Sequence, residues 1–155
     1  MWARENDFDD LIAAAANSYG VPVWVIKATA AKESSFDPTA YDGSSRGLMM
    51  IEEATARGLG YTGTIGDDTT RTGGLYDPTI AIRFGVKDLG QLQTRYPSEP
   101  WDARYAAYNS GKIRRNAAGE FVNSKGLNIV EQHVAGWRRA ADYFMPGWRD
   151  ASPGG

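Results

Sequence analysis

The sequence predicts a mainly α domain with many short helices and one or two small β-hairpins. Two observations carry this expectation. Apolar residues recur at three- and four-residue spacing in five separate stretches, and Gly, Pro, Asp and Ser clusters punctuate the chain between them. A length of 155 residues suits one core and is short for two ordinary domains, and no internal repeat, low-complexity block or linker divides the chain. Residues 1–155 are therefore expected to form a single domain, with a core from about 8 to 145 and a frayed tail over 146–155.

The elements follow in order. Phe8, Leu11, Ile12, Ala15, Ala16 and Tyr19 mark a first helix that Gly20 stops. Pro22 suits a first helical turn, where its missing N–H costs nothing, and opens a second helix reaching about Ser34. At 100° per residue, Val23, Ile26, Ala30 and Glu33 share one narrow face, so Glu33 continues the expected buried stripe. Residues 35–47 carry the turn chemistry Asp37-Pro38, Asp42-Gly43 and Ser44-Ser45. "GLMMIEEATARGLG" reads as a short buried segment running into a helix that ends at Gly58 or Gly60. The Gly/Thr-rich stretch 60–75 reads as an ordered loop or small β excursion. Asp77-Pro78 opens a helix with Ile82, Val86, Leu89 and Leu92 inward, and "WDARYAAYNSG" forms another, ended by Gly111. "KIRRNAAGEFVN" has the form of a hairpin. A last helix is expected from about Leu127 to Phe144, carrying Val130, Val134, Trp137 and Ala141.

Composition narrows the chemistry. Formal net charge is −2, from 17 basic and 19 acidic residues, which argues against nucleic-acid binding by a broad basic field. The clusters "KIRR" and "WRR" read as solvated faces. There is no cysteine, so disulfides and thiol catalysis are excluded, and His133 is the only histidine, which leaves no two-histidine metal site. His133 itself reads as a helix residue; no metal or other cofactor is expected, and chemistry must rest on carboxylates, hydroxyls and amides. An aromatic content of 12% either fills the core or lines a groove for ring-shaped ligands. "MWARENDFDD" lacks the charged-then-apolar order of a secretory leader, and no apolar run approaches membrane-spanning length. A soluble monomer made in the cytoplasm, with export left to another component, is the expectation.

Three segments could carry chemistry. Glu33, in "AKESSFDP", is either a plain helix C-terminal residue or a carboxyl withdrawn from water, whose raised pKa would let it donate a proton near neutrality and later take one back. In "AAYNSG", Tyr108 and Asn109 end a helix and offer a phenol and an amide to hydroxyl or acetamido groups, or else serve as a buried Tyr and a cap. In "SSRGLMMI", Gly47 allows close backbone approach and Met49 and Met50 offer adaptable apolar surface, or else belong to the core.

Taken together, "YGVPVWVIKATAAKESSFDPTA", "SSRGLMMI", "DPTIAIRFGVKDLGQL" and "AAYNSG" resemble, in order and spacing, the soluble lytic transglycosylases, whose fold the goose-type lysozymes share. The likeness spans roughly residues 19–111, and "NIVEQHV" looks like the family's C-terminal element. The resemblance implies a lysozyme-like α+β fold and cleavage of the β-1,4 bond between N-acetylmuramic acid and N-acetylglucosamine in peptidoglycan. It makes Glu33 the single acid and then base, forming 1,6-anhydromuramyl ends. Ser34 would position the site, and Ser45, Met49, Met50, Tyr108 and Asn109 would meet the sugar. Met50 stands where the family usually has Gln, Ser44-Ser45 replaces Gly-Ala, Ala81 replaces Asn, and the loop after Glu33 is one residue short. A hydrolytic lysozyme of the same fold is the alternative; it needs a second carboxylate, for which Asp42, Asp67 and Asp68 are the loop candidates. A non-catalytic glycan-binding or virion structural module is the alternative of another class. The implied setting is that of a phage endolysin or virion-associated lysin acting on the cell wall.

Overall fold

The first helix is α1, Asp9–Tyr19, in a computed structural model that describes residues 1–151. It buries Ile12 and Ala15 and ends at Gly20, whose φ of +68° is a left-handed conformation that favours glycine. Helix α2, Val23–Ser34, starts one residue later than the expected first turn: Pro22 is its N-cap, with φ −60° and ψ 141°. Lys27 Nζ on α2 lies 2.7 Å from Asp9 Oδ1 and ties the two helices.

The narrow apolar stripe expected for α2 is corrected by its surroundings. Val23, the first member of that stripe, is 43% exposed, whereas Trp24, Val25, Ala28, Thr29 and Ala31 are buried along with Ile26 and Ala30. α2 packs against α1 and against the last helix, so it is apolar on most sides, as central helices are. Its end is set sharply. Ser35 and Phe36 both adopt positive φ, at 54° and 61°, with Ser35 N–H donating to Ala31 O at 3.0 Å. Two such non-glycine residues cost about 1–3 kcal/mol each. Complete burial of Phe36 against Trp2 and Phe144 recovers about 1.5–3 kcal/mol of that.

The one two-stranded sheet among the described residues lies at 45–52, which the sequence reads as loop and buried segment. Strand β1 (Ser45–Arg46) pairs antiparallel with β2 (Ile51–Glu52), Ser45 opposite Glu52 and Arg46 opposite Ile51. Residues 60–75, read as an ordered loop or small β excursion, hold the isolated bridge Asp67↔Thr72, and the hairpin expected over 112–123 holds the isolated bridge Arg115↔Phe121. An isolated two-stranded ribbon is marginal in water. The 45–52 hairpin is supported because Leu48, Met49 and Ile51 reach the core; the segment 112–123 also turns back on itself, with Val122 N–H donated to Arg114 O and Asn116 N–H to Glu120 O at 2.9 Å each and Phe121 and Val122 buried. Gly47 seats the turn: a Cβ there would lie 1.9 Å from Leu75 O, at φ +81°.

Helix α3 (Glu53–Gly58) ends where expected, and a single 3₁₀ turn, Gly74–Tyr76, precedes α4 (Pro78–Arg95). The Asp77 carboxylate caps α4 by accepting from Thr79 N–H at 2.8 Å, and Ile82, Val86, Leu89 and Leu92 are buried. Helix α5 (Trp101–Ser110) follows, and buried Arg104 donates to Tyr96 O and Pro97 O beyond the end of α4. The last helix starts later than Leu127, as a π-turn over Val130–Val134 that continues as α6, Ala135–Phe144.

Trp137 of α6 lies at the centre, fully buried, with its Nε1–H donated to Thr29 Oγ1 at 3.1 Å. Trp148 packs 5.3 Å from it and donates to Asp142 Oδ1 at 2.8 Å. The frayed tail therefore does not begin at 146: Trp148 docks the chain onto α2 and α6, because a Trp removes more apolar surface from water than a short tail loses in freedom. Residues 152–155 lie outside the described part. The aromatic excess thus serves the core in large part.

Candidate active site

A cleft of about 520 Å³ opens between the C-terminal end of α2, the 45–52 hairpin, α3, α4 and the C-terminal end of α5. Glu33 stands in its wall. The αL residues Ser35 and Phe36 stop α2 immediately beyond it, so the carboxylate is held at a fixed height above the core. Burial pushes its pKa from 4.5 up to about 7. The Lys32 ammonium and a hydrogen bond from Tyr105 O–H to Glu33 Oε1, at 3.2 Å, pull the other way, and the Asp42 charge adds to the rise. Near neutral pH such a carboxyl both holds a proton and releases one, which is what a single acid-then-base residue needs.

The hairpin turn is fastened to both neighbouring helices. Ser34 Oγ–H donates to Leu48 O at 2.7 Å, and Tyr108 O–H donates to Met49 O at 2.6 Å. Ser34 is therefore a strut between α2 and the turn and does not line the cleft. Met49 is likewise corrected as a sugar contact: its side chain is fully buried, and a Cβ added at Gly85 of α4 would meet it at 2.7 Å. Met50, half-buried at φ 47°, is the methionine on the cleft wall, and Ser45 and Asn109 line the cleft with it.

Tyr105 is the functional neighbour that sequence reasoning misses. It precedes Tyr108 by three residues on α5 and stacks between Tyr108, at 6.2 Å, and Trp137, at 5.7 Å. The Tyr-x-x-Tyr spacing within "RYAAYN" was the available signal, since residues three apart share a helix face. Burial lifts both phenols well above their ordinary value, so they remain neutral donors.

The three loop carboxylates separate. Asp42 lines the cleft, and hydrogen bonds from Ser45 and Ser44 N–H overcome the effect of burial and hold it below the ordinary value. Asp68 lies outside the cleft, in a bidentate pair with Arg46 at 2.7 and 2.9 Å, and also accepts from Tyr76 O–H. Asp67 caps its own turn through Thr69 and Thr70 N–H. Four further titratable groups join the cleft unannounced: Glu52, Asp88, Arg95 and His133. Asp88 of α4 is pushed up to about 6 by burial, with Arg95 opposing. His133, read as a helix residue, lies in the π-turn with Nδ1 buried and unpartnered, and burial followed by Lys32 lowers its pKa.

Comparison with known proteins gives a concordant picture. The family model described as "Transglycosylase SLT domain" matches residues 10–129. The chain is 34% identical over 122 residues to the "Peptidoglycan transglycosylase gp16" of Escherichia phage T7, covering 78% of this chain and 9% of that protein. It is 37% identical over 117 residues to the "Membrane-bound lytic murein transglycosylase C" of Haemophilus influenzae strain PittEE, covering 70% of this chain and 32% of that one. The chain thus spans a third or less of the length of these relatives. In fold it is similar to an inactive mutant of the lytic transglycosylase Slt from Pseudomonas aeruginosa, with a TM-score of 0.68 at 19% identity, over 94% of this chain and 25% of that one. That likeness bears out the lysozyme-like helical fold with a small antiparallel sheet.

Proposed function

The chain belongs to the transglycosylase SLT domain family, and from that premise we propose that it cleaves the β-1,4 bond between N-acetylmuramic acid and N-acetylglucosamine in peptidoglycan, with Glu33 as the only protein acid and base. The observation that carries this reading is the Glu33 carboxyl, withdrawn from water in the wall of the cleft and raised to about 7. Glu33 donates its proton to the glycosidic oxygen as that bond to C1 breaks. The acetamido oxygen of the same muramyl residue stabilises the cation left on C1, so no protein nucleophile is required. The Glu33 carboxylate then takes the proton of the C6 hydroxyl, O6 bonds to C1, and a 1,6-anhydro ring closes. Tyr105, neutral and hydrogen-bonded to Oε1, keeps the carboxyl oriented in both protonation states. Ser45, Met50, Tyr108 and Asn109 form the sugar-facing wall. Where the family usually has Gln, Met50 offers a thioether, so sugar binding there relies on contact and less on a hydrogen bond.

Hydrolysis is the second reading, and Asp42 gives it an observation: it shares the cleft with Glu33 and stays ionised, as a base that activates water must. The two outcomes separate by mass spectrometry of digested peptidoglycan. Anhydromuramyl ends support the transglycosylase; reducing ends carrying added water support the lysozyme. Wild-type protein and Glu33→Gln are compared on the same walls. Equal clearing by both removes Glu33 from its role, and glycan binding without clearing by either leaves a binding module. The cleft is built by one chain, which makes a monomer sufficient, and no helix of the described residues is long and apolar enough to cross a membrane. We assign the site of action to the cell wall, in phage lysis or virion entry.

A further inference from the structure

The basic cluster "WRR" at residues 137–139, which reads as a solvated face, divides in the fold. Trp137 fills the core and Arg138 pairs with Asp102 at 2.9 Å. Arg139 is exposed, and among the described residues it makes no ion pair or hydrogen bond. Lys32, in the last turn of α2, comes to meet it. The Lys32 stem lies across Gly136 of α6: a Cβ placed there would stand 2.8 Å from Lys32 Cδ, 3.1 Å from Cε and 3.7 Å from Arg139 Nη2. The two cationic side chains thus converge on one spot of the α6 surface. Lys32 also has no ion pair or hydrogen bond among the described residues; the acid it acts on is its neighbour Glu33, which is protonated for part of the time near neutrality. Three residues before Gly136, in the π-turn, stands His133, which lines the cleft and feels Lys32. His133, Lys32 and Arg139 therefore form a row leading from the Glu33 wall of the cleft to the outer surface.

Like charges that converge with no acid between them repel, and glycine inside a helix weakens it. A fold that accepts both gains a place where one anion meets two cationic donors. The cleft itself disfavours anions: Glu33, Asp42, Glu52 and Asp88 line it against one guanidinium, that of Arg95. An anionic branch on a bound glycan is driven out of the cleft, and the row that begins at His133 gives it a path. Muramyl residues carry such a branch, because their lactyl ether ends in a carboxyl that the wall extends by a short peptide with free carboxylates. We infer that Lys32 and Arg139 form a carboxylate-binding site for the acidic peptide of a muramyl residue, outside the cleft that holds the sugars. The inference rests on the glycan reading of the cleft and adds to it a preference for peptide-bearing strands. The site takes no part in bond cleavage.

The test compares two ligands that differ in charge alone: peptide-bearing glycan oligomers, and the same oligomers with their peptide carboxylates converted to amides. Both are titrated by calorimetry into Glu33→Gln protein, which binds without turnover and removes the influence of Lys32 on the acid. In that protein the amidated ligand is expected to bind about three- to tenfold more weakly, and the difference narrows as salt is raised. With Lys32→Gln and Arg139→Gln added, both ligands bind alike, within about twofold, and the melting temperature stays level or rises because two repelling charges are gone. A variant that still prefers the acidic ligand as strongly overturns the inference and leaves the glycan reading standing. Loss of the preference in Arg95→Ala alone assigns it to the cation of the cleft and overturns the site on α6. An equal loss of affinity for both ligands, with a lower melting temperature, makes Lys32 and Arg139 structural and overturns it as well. Unchanged preference together with lost binding to anionic phospholipid vesicles gives the cluster to a lipid surface instead. If Glu33→Gln binds neither ligand and the wild type cleaves no glycan, the glycan reading fails and this inference fails with it.

Discussion

Replacing Glu33 with Gln should make the protein more stable, and more so as the pH rises. The native fold holds the Glu33 carboxyl at about 7, against an ordinary value of 4.5. A carboxyl raised by folding binds protons more tightly in the native state than in the unfolded chain. Stability therefore falls as the pH climbs from about 4.5 to about 7 and levels off above. At about 1.4 kcal/mol for each tenfold change in proton affinity, the ionised Glu33 costs the fold about 3 kcal/mol above pH 7. Gln fills nearly the same volume and still accepts from Tyr105, and it carries no charge. Glu33→Gln is expected to gain about 3 kcal/mol at pH 8 and under about 1 kcal/mol at pH 5. For a chain of this size the pH 8 gain is a rise of roughly 6–12 °C in Tm. Thermal melts of both proteins at the two pH values, read by circular dichroism, measure it. Groups such as Asp88 titrate in both proteins and cancel in the difference. A pH-independent difference, or a wild type that melts higher at pH 8, would falsify the claim that burial raises this carboxyl.

Three further outcomes follow from the geometry. Tyr105→Phe removes a hydrogen bond that favours the ionised Glu33, so the alkaline limb of the kcat/KM profile should move up by roughly half a pH unit; a downward shift refutes the assigned role. Gly47→Ala places a Cβ against Leu75 O at positive φ, and urea unfolding should show a loss of more than about 2 kcal/mol with the hairpin turn displaced. Trp148→Ala strips the docked tail from Trp24 and Trp137 and should cost about 3–5 kcal/mol, whereas a frayed tail would leave the urea midpoint where it was.

Much of the framework was legible because it is written in local terms. Asp77-Pro78 is a cap followed by a proline at the first helical position, and α4 begins there with its apolar residues inward as spacing requires. Gly20 and Gly111 ended their helices, and Glu33 could be placed at the end of α2 from the turn chemistry that follows it. The misses have a common cause. "KIRRNAAGEFVN" does turn back on itself, through the Arg115↔Phe121 bridge, but the two-stranded ladder forms at 45–52, where Leu48, Met49 and Ile51 reach a core assembled from distant segments. Met49 and Met50 are equivalent as residue types; the tight packing of Gly85 against the turn sends one into the core and leaves the other in the cleft.

The helices, their caps and the residue able to act as acid are all written in the order of the amino acids. How far that acid is withdrawn from water is a property of the packed molecule. So are the hold of Tyr105 on it, the presence of Asp42 and Asp88 in its cleft without Asp67 and Asp68, and the closure of the core by Trp148. Caps and helical spacing depend on neighbours within a turn or two of the chain. Desolvation and shared fields depend on α2, α4, α5 and the hairpin converging from distant parts of it, and no local pattern encodes where those surfaces meet.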